Sequence, residues 1–207
     1  MTFWDFCAPF YDWAEETNGR VYAAMLKTVR DIVPHDASVL EVAAATGAIS
    51  LAIADKAASV LCTDISERML AIARNKAEKR GVKNITFRNV NIFDIDQPGS
   101  TFDAVIAGQV LHLIDEPEKA AAELRRVTKS MVILPMSFTK NLCGVAKVSV
   151  GIYRLLGFAP KVEFDAESYA AFLPRVGFDN CEVVQFSGKI PMAVAVWRKR
   201  LQNMENQ

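Results

Sequence analysis

Val39-Leu40-Glu41-Val42-Ala43-Ala44-Ala45-Thr46-Gly47, followed by a helical stretch from Ile49 to Lys56 and then by Ser59 to Asp64, is the stretch on which the fold turns. It opens with a short apolar run, starting at Ser38, that carries one acid. A string of small residues follows, and then periodic apolar positions, which is the order strand, tight turn, helix. The second strand then ends on a carboxylate. Outward from this unit the alternation continues. A helix is expected from Ser66 to Arg80, closed by Gly81, and strands at Ile85–Val90 and Ala104–Ala107. Another helix follows Pro117 to about Val127, and Met131–Leu134 reads as the next strand. Before the first strand, Val21, Met25, Leu26, Val29 and Ile32 carry a helical spacing over Asn18–Val33 that stops at Pro34. Strands separated by helices of this length predict an α/β fold with a parallel sheet and right-handed crossovers.

The last third is read differently. A helix is expected near Ala166–Pro174, and strands at Glu182–Phe186 and Met192–Trp197 form a hairpin that adds an antiparallel strand at the sheet edge. Ahead of these elements, Leu142, Val145, Val148, Ile152, Leu155 and Leu156 share one side of a helical projection over Lys140–Gly157, and Lys140, Lys147 and Arg154 recur on the other. That segment either covers an apolar substrate, rests on an anionic membrane surface, or packs as an ordinary helix on the core or on a second subunit.

Composition narrows the function classes. The chain has 207 residues, 51% hydrophobic, with lysine plus arginine balanced by aspartate plus glutamate at 24 each, which fits one domain and offers no field for nucleic acid. A small-molecule substrate is the expected partner, and monomer and homodimer both stay open. The four cysteines, Cys7, Cys62, Cys143 and Cys181, form no CxxC pair, so reduced thiols in a cytoplasmic protein are expected. With only His35 and His112, no metal site is expected. The aromatic, acid-laced start at Phe3, Trp4 and Phe6 is unlike a signal peptide, and no apolar run reaches the roughly 20 residues of a membrane-spanning helix.

In an open parallel sheet, ligands bind beyond the carboxyl ends of the strands where strand order reverses, usually beside the first strand. The small-residue turn lets backbone N–H groups approach a ligand at a helix N-terminus. Asp64, at the end of the second strand, is placed to accept both hydroxyls of an adenosine ribose. The competing reading makes it part of the cap of the following helix, a task that Ser66 can perform alone. A GxGxxG dinucleotide turn would need glycine at positions 43, 45 and 48, and all three are alanine, which weighs against a dehydrogenase.

Three motifs together, the turn Val39–Gly47, the run Thr63-Asp64-Ile65-Ser66-Glu67-Arg68-Met69-Leu70 and the run Phe102-Asp103-Ala104-Val105-Ile106-Ala107-Gly108-Gln109-Val110-Leu111-His112, resemble the class I S-adenosylmethionine-dependent methyltransferases. The likeness is to the branch that includes quinone and small-molecule methylases, and Ala8-Pro9-Phe10-Tyr11-Asp12 is similar to its entry segment. It covers about Phe6 to Pro135. The resemblance implies a Rossmann-like three-layer sandwich with a mostly parallel seven-stranded sheet, S-adenosylmethionine as cofactor and S-adenosylhomocysteine as product. Residues 1–200 would form one domain, with a helical cap over 1–35, substrate-side helices over 137–176 and a polar tail at 201–207.

By the same resemblance, Glu41 and the turn Ala43, Ala45 and Gly47 would hold the methionine part, Asp64 the ribose, and Met69, beside Ile65, the adenine. Asn91 would accept from the adenine amino group and Ile92 would offer its N–H to the ring. Ala107 and Gly108 would line the methyl-donor end, with Tyr11 as a lid residue. Tyr11 is equally readable as core packing, and His112, a candidate base, as a structural histidine within an apolar run. The chain departs from the family pattern at Ala43 and Ala45, where glycine is usual, and at Asn91, where aspartate is usual. Alanine at the first position is expected to be mild because φ can stay negative, and harmful at the second if φ must be positive. A domain that keeps the fold with a narrowed, non-catalytic pocket therefore stands as an alternative.

Overall fold

Burial of a single stripe explains the first long helix of the computed structural model, which describes residues 3–8, 11, 18–142, 144, 147, 150–151 and 160–200. A short helix α1 (Phe3–Cys7) precedes it. In α2 (Gly19–Ile32), Val21, Met25 and Val29 stand one turn apart and are buried, and the helix stops just before Pro34. The elements that follow are β1 (Ser38–Val42), α3 (Ala48–Ile53), β2 (Ser59–Asp64), α4 (Glu67–Lys79), β3 (Ile85–Asn89), β4 (Phe102–Ala107), α5 (Pro117–Val127), β5 (Thr128–Ser137), α6 (Ala166–Arg175), β6 (Glu182–Phe186) and β7 (Met192–Arg198).

The seven strands lie in the order β3-β2-β1-β4-β5-β7-β6. β1 pairs in parallel with β2 on one side and β4 on the other, so strand order reverses at its carboxyl end. Because β1 is central, Val39, Leu40, Glu41 and Val42 are all buried, and alternate residues feed opposite layers. Leu40, Val42, Val105, Val132 and Leu134 pack with Leu124 and Tyr169 of α5 and α6. Val39, Ile106 and Ile133 pack with Val29 of α2 and with Ile49 and Ile53 of α3. The result is the expected three-layer sandwich.

β5 runs longer than Met131–Leu134 because Thr128 pairs with Phe102 of β4 at one end and β7 carries the antiparallel ladder from Met131↔Arg198 on to Ser137↔Met192 at the other. Its register with β4 ends at Ile133, so Pro135, which has no N–H to give, sits past the end of that ladder, where its carbonyl still accepts from the Gln109 N–H. The carboxy-terminal hairpin places β7 between β5 and β6. β7 is therefore buried from Met192 to Val196, whereas the edge strand β6 leaves Val183 and Val184 exposed.

The crossover after β2 is signalled locally. Ser66 caps α4 by accepting from the Met69 N–H at 3.2 Å, and Gly81 takes a φ of +68° just past its end. α6 begins with a capping box between Asp165 and Ser168. Gly47, the residue before α3, has φ +75°, and a Cβ there would lie 2.9 Å from the Cβ of Ala73 in α4. Replacing Gly47 with alanine combines a left-handed residue with overpacking and is expected to lower stability by about 2–4 kcal/mol, read by urea denaturation. Unchanged stability would mean that α4 can withdraw freely from the turn.

Candidate functional site

The carboxyl end of β1 delivers a buried acid to the base of the first turn. The side chain of Glu41 accepts from the Ser50 N–H at 2.8 Å and from the Ser50 hydroxyl, which satisfies first-turn donors of α3. Above it the chain alternates left-handed residues, with φ of +50° at Ala43, +47° at Ala45 and +75° at Gly47. This corrects the expectation that φ at position 43 stays negative: the turn needs the left-handed conformation at both alanines. Each strains an L-residue by roughly 1–2 kcal/mol. Relief of that strain exceeds the roughly 0.4–1 kcal/mol of unfolded-state entropy a glycine adds. The double change Ala43→Gly with Ala45→Gly is therefore expected to raise stability by about 1–2 kcal/mol, and a fall in thermal midpoint would contradict it.

The turn is tied to the next strand. Asp64 Oδ2 accepts from the Ala45 N–H at 2.8 Å and Oδ1 from the Ser66 N–H at 2.8 Å, while the Ala44 N–H donates to the Thr63 carbonyl. Ser66 thus caps α4 itself, and Asp64 braces both the turn and the residue that opens the helix. Ser66 Oγ also donates to Asp5 at 2.5 Å, which fastens α1 against α4. Asp64 is 6% exposed, and burial raises its carboxyl above the ordinary range against the lowering effect of the amides it accepts from. Burial likewise pushes Glu41 up to about 7, opposed by Ser50.

A cavity of about 200 Å³ opens at these strand ends, walled by Trp4, Tyr11, Ile65, Met69, Asn91, Ile92, Phe93, Val110, Leu113 and Ile114, with Asp64 on its rim. A smaller one of about 30 Å³ lies under the turn against Glu41, Thr46, Tyr22 and Pro135. Both are bordered by Tyr11, Ala43, Ala45, Gly108 and Gln109, so these five residues form the neck between them.

The structure brings together Tyr11, Glu41, Ala43, Ala45, Asp64, Ile65, Met69, Asn91, Ile92 and Gly108 around the two cavities. Three named residues lie off the walls. Gly47 serves the packing of the turn on α4, and Ala107 is buried in the core among the side chains of β4 and β5. His112 is 8% exposed, its carbonyl accepts from the Lys161 N–H at 2.8 Å, and desolvation lowers its imidazole to about 4, which leaves it neutral near pH 7. Asn91 Oδ1 already accepts from the Phe93 N–H at 3.0 Å, an Asx turn that shapes the loop after β3.

Sequence reasoning missed Trp4, Phe93 and Gln109. Trp4 belonged to a cluster of aromatics at the amino terminus that has no period to assign it, whereas Gln109 was detectable as an amide interrupting an apolar run at a strand end. Most of the 140–157 segment lies outside the described residues; within it Lys147 is exposed and Val150 buried. Among the described residues no cluster of three metal-ligating side chains occurs, and no helix is long and apolar enough to cross a membrane.

Comparison with known proteins bears on the family and the fold. Residues 39–131 match the model of a methyltransferase domain family. Over 131 residues the chain is 30% identical to the phosphatidylethanolamine N-methyltransferase of Cereibacter sphaeroides, covering 62% of this chain and 64% of that one. Over 201 residues it is 27% identical to the ubiquinone/menaquinone biosynthesis C-methyltransferase of Acidiphilium cryptum, covering 86% and 79%. The first of these relatives is thus spanned over less than two thirds of its length. Among solved structures, the magnesium protoporphyrin IX methyltransferase of Synechocystis PCC 6803, determined with bound S-adenosylhomocysteine, superposes with a TM-score of 0.62 at 19% identity. The superposition covers 87% of this chain and 85% of that one, and shares the fold.

Proposed function

We propose that this chain is a class I S-adenosylmethionine-dependent methyltransferase of the branch that includes the quinone methylases, and that it transfers a methyl group from S-adenosylmethionine to a small apolar or aromatic acceptor, leaving S-adenosylhomocysteine. The observation that carries this reading is the Asp64 carboxylate, braced by two backbone N–H groups at a cleft whose walls are mostly apolar. Each of its oxygens keeps a lone pair for a ribose hydroxyl. The residues present suit the cofactor. Glu41 and the turn at Ala43 and Ala45 would face the methionine part, Ile65, Met69 and Ile92 the adenine, and Asn91 its edge, with Tyr11 and Gly108 at the methyl end.

When bound, the cofactor supplies a methyl group on a positively charged sulfur that is already activated for in-line displacement. The chain's contribution is then alignment and exclusion of water, for which the aromatic and aliphatic walls suffice without a strong base. His112, off the cleft wall and neutral, is read as structural. We take residues 1–200 as one domain, with 1–35 as cap and 137–176 on the substrate side.

Calorimetric titration of the purified chain with S-adenosylmethionine, S-adenosylhomocysteine and NAD tests the reading. Binding of both sulfur compounds and not of NAD is expected. A second reading, a domain that keeps the fold without turnover, is favoured by the alanine methyls at the neck. It gains if neither sulfur compound binds at millimolar concentration and the Ala43→Gly, Ala45→Gly double variant does bind. Binding of NAD alone would overturn both.

A further inference from the structure

Gln109 stands out in the neck because a residue without the freedom of glycine holds a φ of +55° there. Its backbone N–H donates to the Pro135 carbonyl at 3.0 Å, which prolongs the β4–β5 pairing past the end of the ladder. Its side chain meets Ser137 twice. Ser137 N–H donates to Oε1 at 3.0 Å, and Nε2 donates to Ser137 Oγ at 2.6 Å. Since a backbone N–H can only donate, the amide orientation is fixed with Oε1 toward it. A primary amide has two N–H donors and two lone pairs, so one of each is left over. Among the described residues no protein group takes them, and the residue is half-buried where both cavities meet.

We propose that Gln109 is a specificity-determining residue, whose remaining N–H and lone pair recognise a neutral hydroxyl on the acceptor. The assignment rests on reading the cleft as a methyltransferase site. A hydroxyl both donates and accepts, so it satisfies the amide, whereas a purely hydrocarbon acceptor leaves a half-buried polar group without a partner. A carboxylate offers no donor for the amide's lone pair. Among the described side chains on the cavity walls none is cationic, so nothing compensates an anionic acceptor. The bonds to Ser137 hold the amide in place, which makes Ser137 a positioning residue.

The test uses the full chain saturated with S-adenosylhomocysteine and a pair of probes that differ by one hydroxyl, 2-naphthol and naphthalene, titrated by calorimetry or by fluorescence. The wild-type chain is expected to prefer 2-naphthol roughly two- to tenfold, the worth of one hydrogen bond. Gln109→Leu is expected to remove the preference, and Ser137→Ala, which keeps the amide but loosens its clamp, to reduce it without abolishing it. A preference that survives in Gln109→Leu, or no preference in the wild type, overturns the proposal. Failure of the wild type to take up S-adenosylhomocysteine instead overturns the reading of the cleft on which it rests. Thermal unfolding of each variant separates misfolding from lost recognition, and Gln109→Asn, shorter by one methylene, provides a folded comparator that also loses the preference.

Discussion

Replacing Asp64 with alanine is expected to abolish measurable binding of S-adenosylhomocysteine and to lower stability by about 2–4 kcal/mol, because on the proposed reading one carboxylate serves both the fold and the ligand. Its two oxygens accept from the N–H groups of Ala45 and Ser66, at 2.8 Å each, in a site that is 6% exposed. Removing the acceptor strands two buried donors, each worth roughly 1–3 kcal/mol. The loss in affinity comes on top: two ribose hydroxyls bonded to a charged acceptor contribute roughly 1.5–3 kcal/mol each, a factor of at least about a hundred together. The Asp64→Asn variant keeps one accepting oxygen and separates the effects, with a smaller loss of stability but most of the loss in affinity. Urea denaturation and calorimetry on the same samples read the two quantities. Wild-type affinity in a folded Asp64→Ala chain would remove the ribose assignment.

The second large effect is a pH-dependent gain. Glu41→Gln is expected to make the protein more stable than wild type above pH 7, by up to roughly 3 kcal/mol, and to leave it unchanged near pH 4. Burial holds the folded-state Glu41 near 7, against 4.5 for the ordinary side chain. The folded state therefore keeps its proton more firmly than the unfolded state between those values. Stability from this group is present in full below pH 4.5, is lost as pH rises toward 7 and stays lost above. A neutral amide has no such loss, and its carbonyl can still accept from the Ser50 N–H. Denaturation curves at pH 5 and pH 8 decide the matter, since equal slopes with pH for the two proteins would show that Glu41 is ionised throughout. With Glu41 facing the methionine part of the ligand, as proposed, the wild-type chain is expected to bind S-adenosylhomocysteine more tightly at pH 8 than at pH 6, because the ionised carboxylate attracts that part's amino group.

Much of the scaffold was legible because its signals are local. The small-residue turn before α3, Ser66 before α4, Gly81 after it and Pro117 at the start of α5 each act within one turn of chain. The strand β5 was read short because its extension is stabilised by β4 at one end and at the other by β7, which lies about sixty residues later in the chain. The position of a side chain at the cleft was legible where strand and turn are fixed locally, as with Asp64 at the end of β2, and illegible where the sequence offers no period. Trp4 and Gln109 reach the cleft only through the docking of α1 on α4 and the bond of Gln109 to Ser137.

By itself, the sequence determined the alternation of strands and helices, the place of the turn and the acid that follows it, since periodicity, caps and spacing are properties of neighbouring residues. Only the tertiary structure decided that Ala43 and Ala45 both stand left-handed, that His112 and Ala107 are buried off the cleft walls, and that Glu41 is buried enough to hold a proton near neutrality. Those outcomes depend on which strands lie side by side and which groups they desolvate, and that is set by packing between residues far apart in the chain.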